Sequence, residues 1–261
     1  MDSQILILGL HRVGFPPRNA KIRGLFTTPR LLGFQLRLLK LLGFRFMTLK
    51  DAMADGRGRI AVITFDDGYA DNFTNALPIL ERMSIPATVF VVTNDLGRQD
   101  VVWDEASEDL PADLLSWSML RHLVKCGWEV GSHAHEHVHL ARYSAAEQAK
   151  TIKMSVDAIS DNLGLRPVSF AYPYGSYDQT TKEILKAEGI ENAVTINPAT
   201  YTESTGPKDY LELSRLSVGG RNYRHYIRTL FQTLKSTGGL RPVGINTALP
   251  EFQSSAKAGL V

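Results

Sequence analysis

The chain has 261 residues, 44% hydrophobic and 21% charged, with 29 basic and 27 acidic side chains giving a net charge of +2. This is an ordinary globular composition, long enough for one barrel-sized core or two small domains, and we read it as one. The balanced charge, with no strongly basic patch, excludes an obligatory nucleic-acid partner.

Met1-Asp2-Ser3-Gln4 has no basic n-region, and Ile5 to Leu10 is shorter than a signal-peptide core, so that run reads as a first strand. With Met1 as the native start, a cytoplasmic location is expected. No apolar stretch approaches the roughly 20 residues of a membrane span. Gly14 to Thr28, with Pro16-Pro17, reads as a loop. Leu31, Leu32, Phe34, Leu38, Leu39 and Leu42 recur at helical spacing from Pro29, with Gly43 as the stop and a strand at Phe44 to Met47. Thr48 is placed to cap a helix over 49–54.

Arg59 to Phe65 reads as a buried strand, followed by a helix over 71–83 and a second buried strand over 87–92. The turn-rich segment from Thr93 to Pro111 holds Trp103 and is long for a simple connection. Ser116 to Cys126 is helical, and the single Cys126 excludes an internal disulfide and reads as a small buried apolar residue. Ser144 opens a long helix with Glu147 three residues on, the spacing of a capping box, closed by Gly164. Strands over 168–172 and 191–196 flank a helix over 178–188, and a last strand over 210–218 precedes a helix from Tyr223 to Leu234. Residues 1–235 form the expected single domain and 236–261 a loosely held tail. Alternating strands and helices predict an α/β protein with a parallel sheet, whose seven or eight units fit a barrel with function at the C-terminal strand ends.

Three strand ends carry unusual chemistry. Thr64-Phe65-Asp66-Asp67-Gly68 puts two carboxylates at a turn, and both can face one site only if the strand ends there. Gly131-Ser132-His133 opens a cluster in which His133, His135, His137 and His139 alternate, and Phe170-Ala171-Tyr172-Pro173-Tyr174-Gly175 closes another strand. His133 and His137 are four apart, so in a helical turn they lie on one face, the spacing by which two imidazoles reach one metal. With one carboxylate they make a mixed nitrogen and oxygen set suited to Zn2+ or a similar divalent ion.

The order Thr-Phe-Asp-Asp-Gly, Gly-Ser-His-x-x-x-His, Phe-x-x-Pro-Tyr-Gly resembles the NodB-like polysaccharide deacetylases, a family of carbohydrate esterases, from about Ile5 to Val218. The resemblance implies a distorted, incomplete (β/α) barrel of seven to eight strands. It implies that Asp67, His133 and His137 bind the metal and that Asp66 is the general base toward the attacking water. It also implies that the backbone N–H of Tyr174 helps hold the oxyanion. His135 is expected in solvent or behind the ligands. Trp103 is a candidate for stacking on a sugar, whereas Trp117 is expected to pack on its helix. His122 and His225 are expected at helix surfaces.

Three departures stand out. Ala171 replaces the arginine that orients the catalytic Asp in many members, Ala134 stands where Ser or Thr is usual, and the C-terminal Leu-x-His has only Leu213-Ser214-Arg215 as its nearest approach. His11, at the end of the first strand, is the candidate to replace the missing general acid. The expected activity is metal-dependent removal of an N-acetyl group from an amino sugar in a polysaccharide or glycoconjugate. Hydrolysis of a small cyclic amide or ureide, and a non-catalytic sugar-binding role, stay open as alternatives, as does the oligomeric state.

Overall fold

The computed structural model describes residues 4–55, 57–103, 111–196, 201–202, 209–219 and 223–236. Strand β1 (Gln4–Leu10) leads through β2 (Arg12–Val13) and β3 (Phe26–Thr27) to α1 (Pro29–Leu41), β4 (Arg45–Met47) and α2 (Leu49–Asp55). Then come β5 (Arg59–Phe65), α3 (Leu77–Glu81), β6 (Thr88–Val91), α4 (Trp117–Lys125) and β7 (Glu129–Ser132). The series continues with α5 (Ala145–Leu163), β8 (Ser169–Ala171), α6 (Gln179–Ala187), β9 (Asn192–Val194), β10 (Tyr201–Thr202), β11 (Leu216–Ser217) and α7 (Tyr223–Ser236).

The strand path is β10-β1-β5-β6-β7-β8-β9, parallel at every step except β10 with β1. β4 and β6 share one edge of β5, the first beside Ile60–Val62 and the second beside Thr64 and Phe65. Leu213 bridges to Val194 of β9, while Leu216 and Ser217 pair with Leu8 and Gly9 of β1. The segment from Leu213 to Ser217 therefore runs from the last strand to the first and draws the sheet into the expected incomplete (β/α) barrel.

Side-chain parity sorts the strands into two apolar layers. Leu6, Leu8, Ala61, Ile63 and Phe65 pack outward beneath Leu36, Leu39, Leu120 and Leu123 of the helices. Ile7, Ile60, Val62, Phe90, Ala171 and Val194 fill the barrel interior. Because both faces are covered, the strands read as near-continuous apolar runs rather than as alternating ones. The interior is full enough that a Cβ on Gly131 would lie 2.6 Å from the Phe90 ring, so β7 accepts only glycine there. Parity also carries the inward direction past the strand ends: Ile60, Val62 and Thr64 lead to position 66, and Ile5, Ile7 and Gly9 lead to position 11.

Three expected elements differ. The loop over 14–28 holds a short 3₁₀ turn and β3, which pairs with β2 as a small parallel ladder. The helix expected over 71–83 is split, with a wide π turn at Asn72–Ala76 before α3. Pro78 has no N–H to give the carbonyl of Thr74, and Leu77 instead donates to Asn72, five residues back. The last strand shrinks to Leu216–Ser217 because Leu213 and Leu216 pair with different strands. The tail after Ser236 and positions 104–110 of the long connection lie outside the described residues.

The capping box is present: Glu147 N–H donates to Ser144 Oγ, and Ser144 N–H donates to the Glu147 carboxylate at 2.8 Å. Ser144→Ala is expected to lower stability by about 1 kcal/mol, read as a fall in the urea midpoint at unchanged slope.

Candidate active site

Asp66 continues the inward face of β5, and its N–H still donates to Leu10 at 2.9 Å as if the strand had not ended. Asp67 then turns into the left-handed region at φ 71, followed by Gly68 at φ 72. That reversal brings two consecutive carboxylates to one side, which strand geometry alone forbids. A Cβ on Gly68 would combine this positive φ with a 3.1 Å approach to Val91. Both carboxylates are almost fully buried.

Each carboxylate has its own positive partner. Arg215, from the segment that closes the barrel, donates from Nη1 to Asp66 Oδ1 and from Nη2 to Oδ2, both at 2.7 Å. The guanidinium is itself fixed by Thr64 Oγ1 and the Thr195 carbonyl, each at 3.0 Å. Burial raises the Asp66 pKa, but the charge and hydrogen bonds of Arg215 outweigh it and hold the group below the usual carboxylate value. The position left by Ala171 is thus answered from the segment just before β11. Ala171 serves differently, its carbonyl accepting from His133 Nδ1 at 2.8 Å.

That bond fixes the His133 tautomer, since a carbonyl only accepts, and it turns Nε2 toward Asp67. His133 Nε2 and His137 Nε2 converge on Asp67 Oδ1 at 3.2 and 3.4 Å. The two histidines do not sit on a helix as their spacing suggested. They occupy an irregular turn in which Ala134 takes φ 63, and Ser132 Oγ accepts the Ala134 N–H. Burial raises Asp67, yet the hydrogen bond from His133 and the charge of His137 bring it well below the usual range. Burial lowers His133, but the hydrogen bond and charge of Asp67 raise it overall. Burial takes His137 down to about 4 against the pull of Asp67, so its imidazole is neutral near pH 7.

One donor atom from each of Asp67, His133 and His137 falls within 4.8 Å of the others, a set that can hold a metal ion. The fit is chemical as well as geometric. Two imidazole nitrogens and a carboxylate oxygen converge, and a back-side hydrogen bond orients one of the imidazoles. The excess negative charge of the carboxylate pair raises the protonation of His133, and the same field favours a cation.

His11 lies where parity predicts, its Nε2 3.9 Å from Asp66 Oδ2 and its side chain about one-third exposed. Tyr174, at φ 57, packs its ring 4.3 Å from His137 and 4.2 Å from His139. Trp103 also lies against His137, with centroids 4.9 Å apart. His135 turns away, Nδ1 meeting Thr93 Oγ1 at 2.9 Å. Trp117 packs on the helix-side core, and His122 and His225 are exposed on α4 and α7. The residue missed as a partner is Arg215. Its only sequence signal was the Leu-x-Arg standing where Leu-x-His was sought.

The profile of the family described as polysaccharide deacetylase matches residues 54–193, more than half of the chain. The chain belongs to that family. A poly-β-1,6-N-acetyl-D-glucosamine N-deacetylase of Staphylococcus aureus is 26% identical over 251 residues, covering 87% of this chain and 83% of that one. Bacillus subtilis YxkH is 23% identical over 148 residues, 57% of this chain, and the alignment spans about half of its length. Among solved structures, IcaB of Ammonifex degensii superposes with a TM-score of 0.73 at 24% identity, covering 88% of this chain and 97% of that one. The Streptococcus pyogenes deacetylase PplD, solved with acetate, gives 0.72 at 24%, covering 89% and 99%. These two establish the barrel common to the polysaccharide deacetylases.

Arg215→Ala strands a buried carboxylate and is expected to cost about 3–5 kcal/mol. The pair stabilises the fold above the ordinary Asp value of 3.8 and loses its effect as pH falls through the lowered folded value. The gap in urea midpoint between wild type and variant should therefore narrow on acidification.

Proposed function

We propose that this polysaccharide deacetylase hydrolyses the N-acetyl amide of an amino sugar within a polymer, releasing acetate, from a single catalytic domain over residues 1–235. The observation that carries the reading is the convergence of His133 and His137 on Asp67, beside a second carboxylate clamped by Arg215. The name of the S. aureus relative supports a polymer of N-acetylglucosamine as substrate class.

Asp67, His133 and His137 are the residues that would hold the ion, and zinc suits their nitrogen-rich set. A divalent ion bound there supplies Lewis acidity that polarises the acetyl carbonyl and acidifies water from about 15.7 toward roughly 7. Asp66 accepts the proton of the attacking water. Its ionised state is secured by Arg215, and each oxygen has a second lone pair beyond the one facing the guanidinium. The backbone N–H of Tyr174 is assigned to the oxyanion, and the Tyr174 and Trp103 rings wall the site around His137. His11 is assigned as the acid that protonates the departing amine, because it reaches the same rim and has contact with solvent. The non-catalytic alternative drew on Ala171 and on the missing Leu-x-His; Arg215 answers the first, and the assignment of His11 as the acid answers the second.

Acetate release from N-acetylglucosamine oligomers, followed with metal content per chain, tests these roles. Asp66→Asn should abolish turnover and keep the metal. His133→Ala with His137→Ala should abolish turnover and lower the metal content by one ion per chain, and unchanged metal content would remove them from the ligand set. Chelation should abolish activity and zinc should restore it. His11→Ala should lower kcat by about 100- to 10,000-fold with metal retained. Wild-type turnover in that variant would place the acid elsewhere.

A further inference from the structure

On the outer face of the barrel, a second group of donor side chains converges that the proposed reaction does not use. Glu81 ends α3, and His122 and Cys126 stand four apart at the end of α4, with Cys126 as its cap residue. Four residues is the spacing that puts two side chains on one helical face. One donor atom from each of the three lies within 4.8 Å of the others. Cys126 is not the buried apolar residue its position suggested: it is partly exposed, and its thiol donates to Glu81 Oε1 at 3.2 Å. The ring of Phe73 meets His122 edge-on at 5.4 Å between centroids, which limits how the imidazole can turn.

We infer that Glu81, His122 and Cys126 form a second, solvent-open site for a borderline-soft divalent ion, with zinc the best match. The donor chemistry decides the class. A thiolate, an imidazole and a carboxylate suit zinc or cobalt and disfavour magnesium and calcium, which take oxygen ligands. Sulfur and carboxylate are already neighbours, so little rearrangement is needed. On binding, the S–H bond is replaced by a sulfur–metal bond and the proton leaves to solvent, with no change of oxidation state. Glu81 and His122 are exposed, which gives the ion an entry path and leaves a coordination position for water.

The site's place in the fold states its purpose. α3 follows the turn that carries Asp67, and α4 leads into β7, which ends one residue before His133. An ion shared between them staples together the two helices adjoining the carboxylate and histidine strands, from the far side of the sheet. It is a structural tie, independent of the hydrolytic reading; together with an ion at Asp67, His133 and His137 it would make the full zinc content two ions.

Cobalt titration of the full chain tests this, because only a thiolate ligand gives the intense near-ultraviolet sulfur-to-cobalt band. The band should form in wild type and in the His133→Ala, His137→Ala double variant, vanish in Cys126→Ser, and need at least about tenfold more cobalt in His122→Ala. Zinc should abolish the band and, in unmodified protein, slow alkylation of Cys126 at least about tenfold. No thiolate band at a large excess of cobalt, or alkylation indifferent to zinc, overturns the proposal. So does an affinity unchanged by His122→Ala.

Discussion

Two adjacent carboxylates cannot be buried and ionised together unless each is given its own counter-charge. In water they would share hydration. Inside a barrel mouth, burial pushes both toward the neutral acid and their mutual repulsion adds to that pressure. The rest of the site follows from how this is resolved. Asp66 receives a guanidinium in a two-point clamp, a partner type that keeps its charge in proteins. Asp67 receives two imidazoles, which can give up protons and accept a cation in their place. Neighbouring residues of one type thus acquire different surroundings, a clamped guanidinium on one side and two imidazoles on the other.

The barrel makes such an arrangement affordable. Its interior is packed with Ile7, Ile60, Val62, Phe90, Ala171 and Val194, and the polar groups begin only where the strands end. Thr64 marks the change, donating to the Leu8 carbonyl at 2.8 Å while accepting from Arg215. The irregular backbone at Asp67, Ala134 and Tyr174, all at positive φ, lies at these same ends. Strain of this kind persists where surrounding contacts over-determine it, and its clustering around one opening fits a site built for geometry rather than stability.

Much of this was legible in the sequence because it is local. The apolar run of β5, the Ser144 and Glu147 pair and the stop at Gly164 are decided within a few residues of themselves, and they appear where expected. The paired carboxylates and the histidines stood out by type and order as candidates for one cluster, and Asp67, His133 and His137 do come together. What failed was the backbone between them: a four-residue spacing suggested a helix, whereas Ala134 in the left-handed region makes the turn. Arg215 escaped for a different reason. Its importance lies in contacts with Asp66, Thr64 and Thr195, and a contact across 149 residues leaves no periodicity to read. Cys126 was misjudged because its environment is set by Glu81, on a helix 45 residues earlier in the chain.

The position of Arg215 ties chemistry to the order of assembly. The stretch that carries it also joins β9 to β1, so the clamp on Asp66 and the closure of the sheet are one event. A chain emerging from the ribosome exposes β5 long before that stretch is made. During the interval Asp66 needs no partner, because an open sheet leaves it hydrated. Loop-closure entropy must be met before this pairing can form, which places it late among folding contacts. A chain of this design gains its clamped, oriented Asp66 carboxylate only as the barrel becomes whole, so the geometry of the site itself reports that folding has finished.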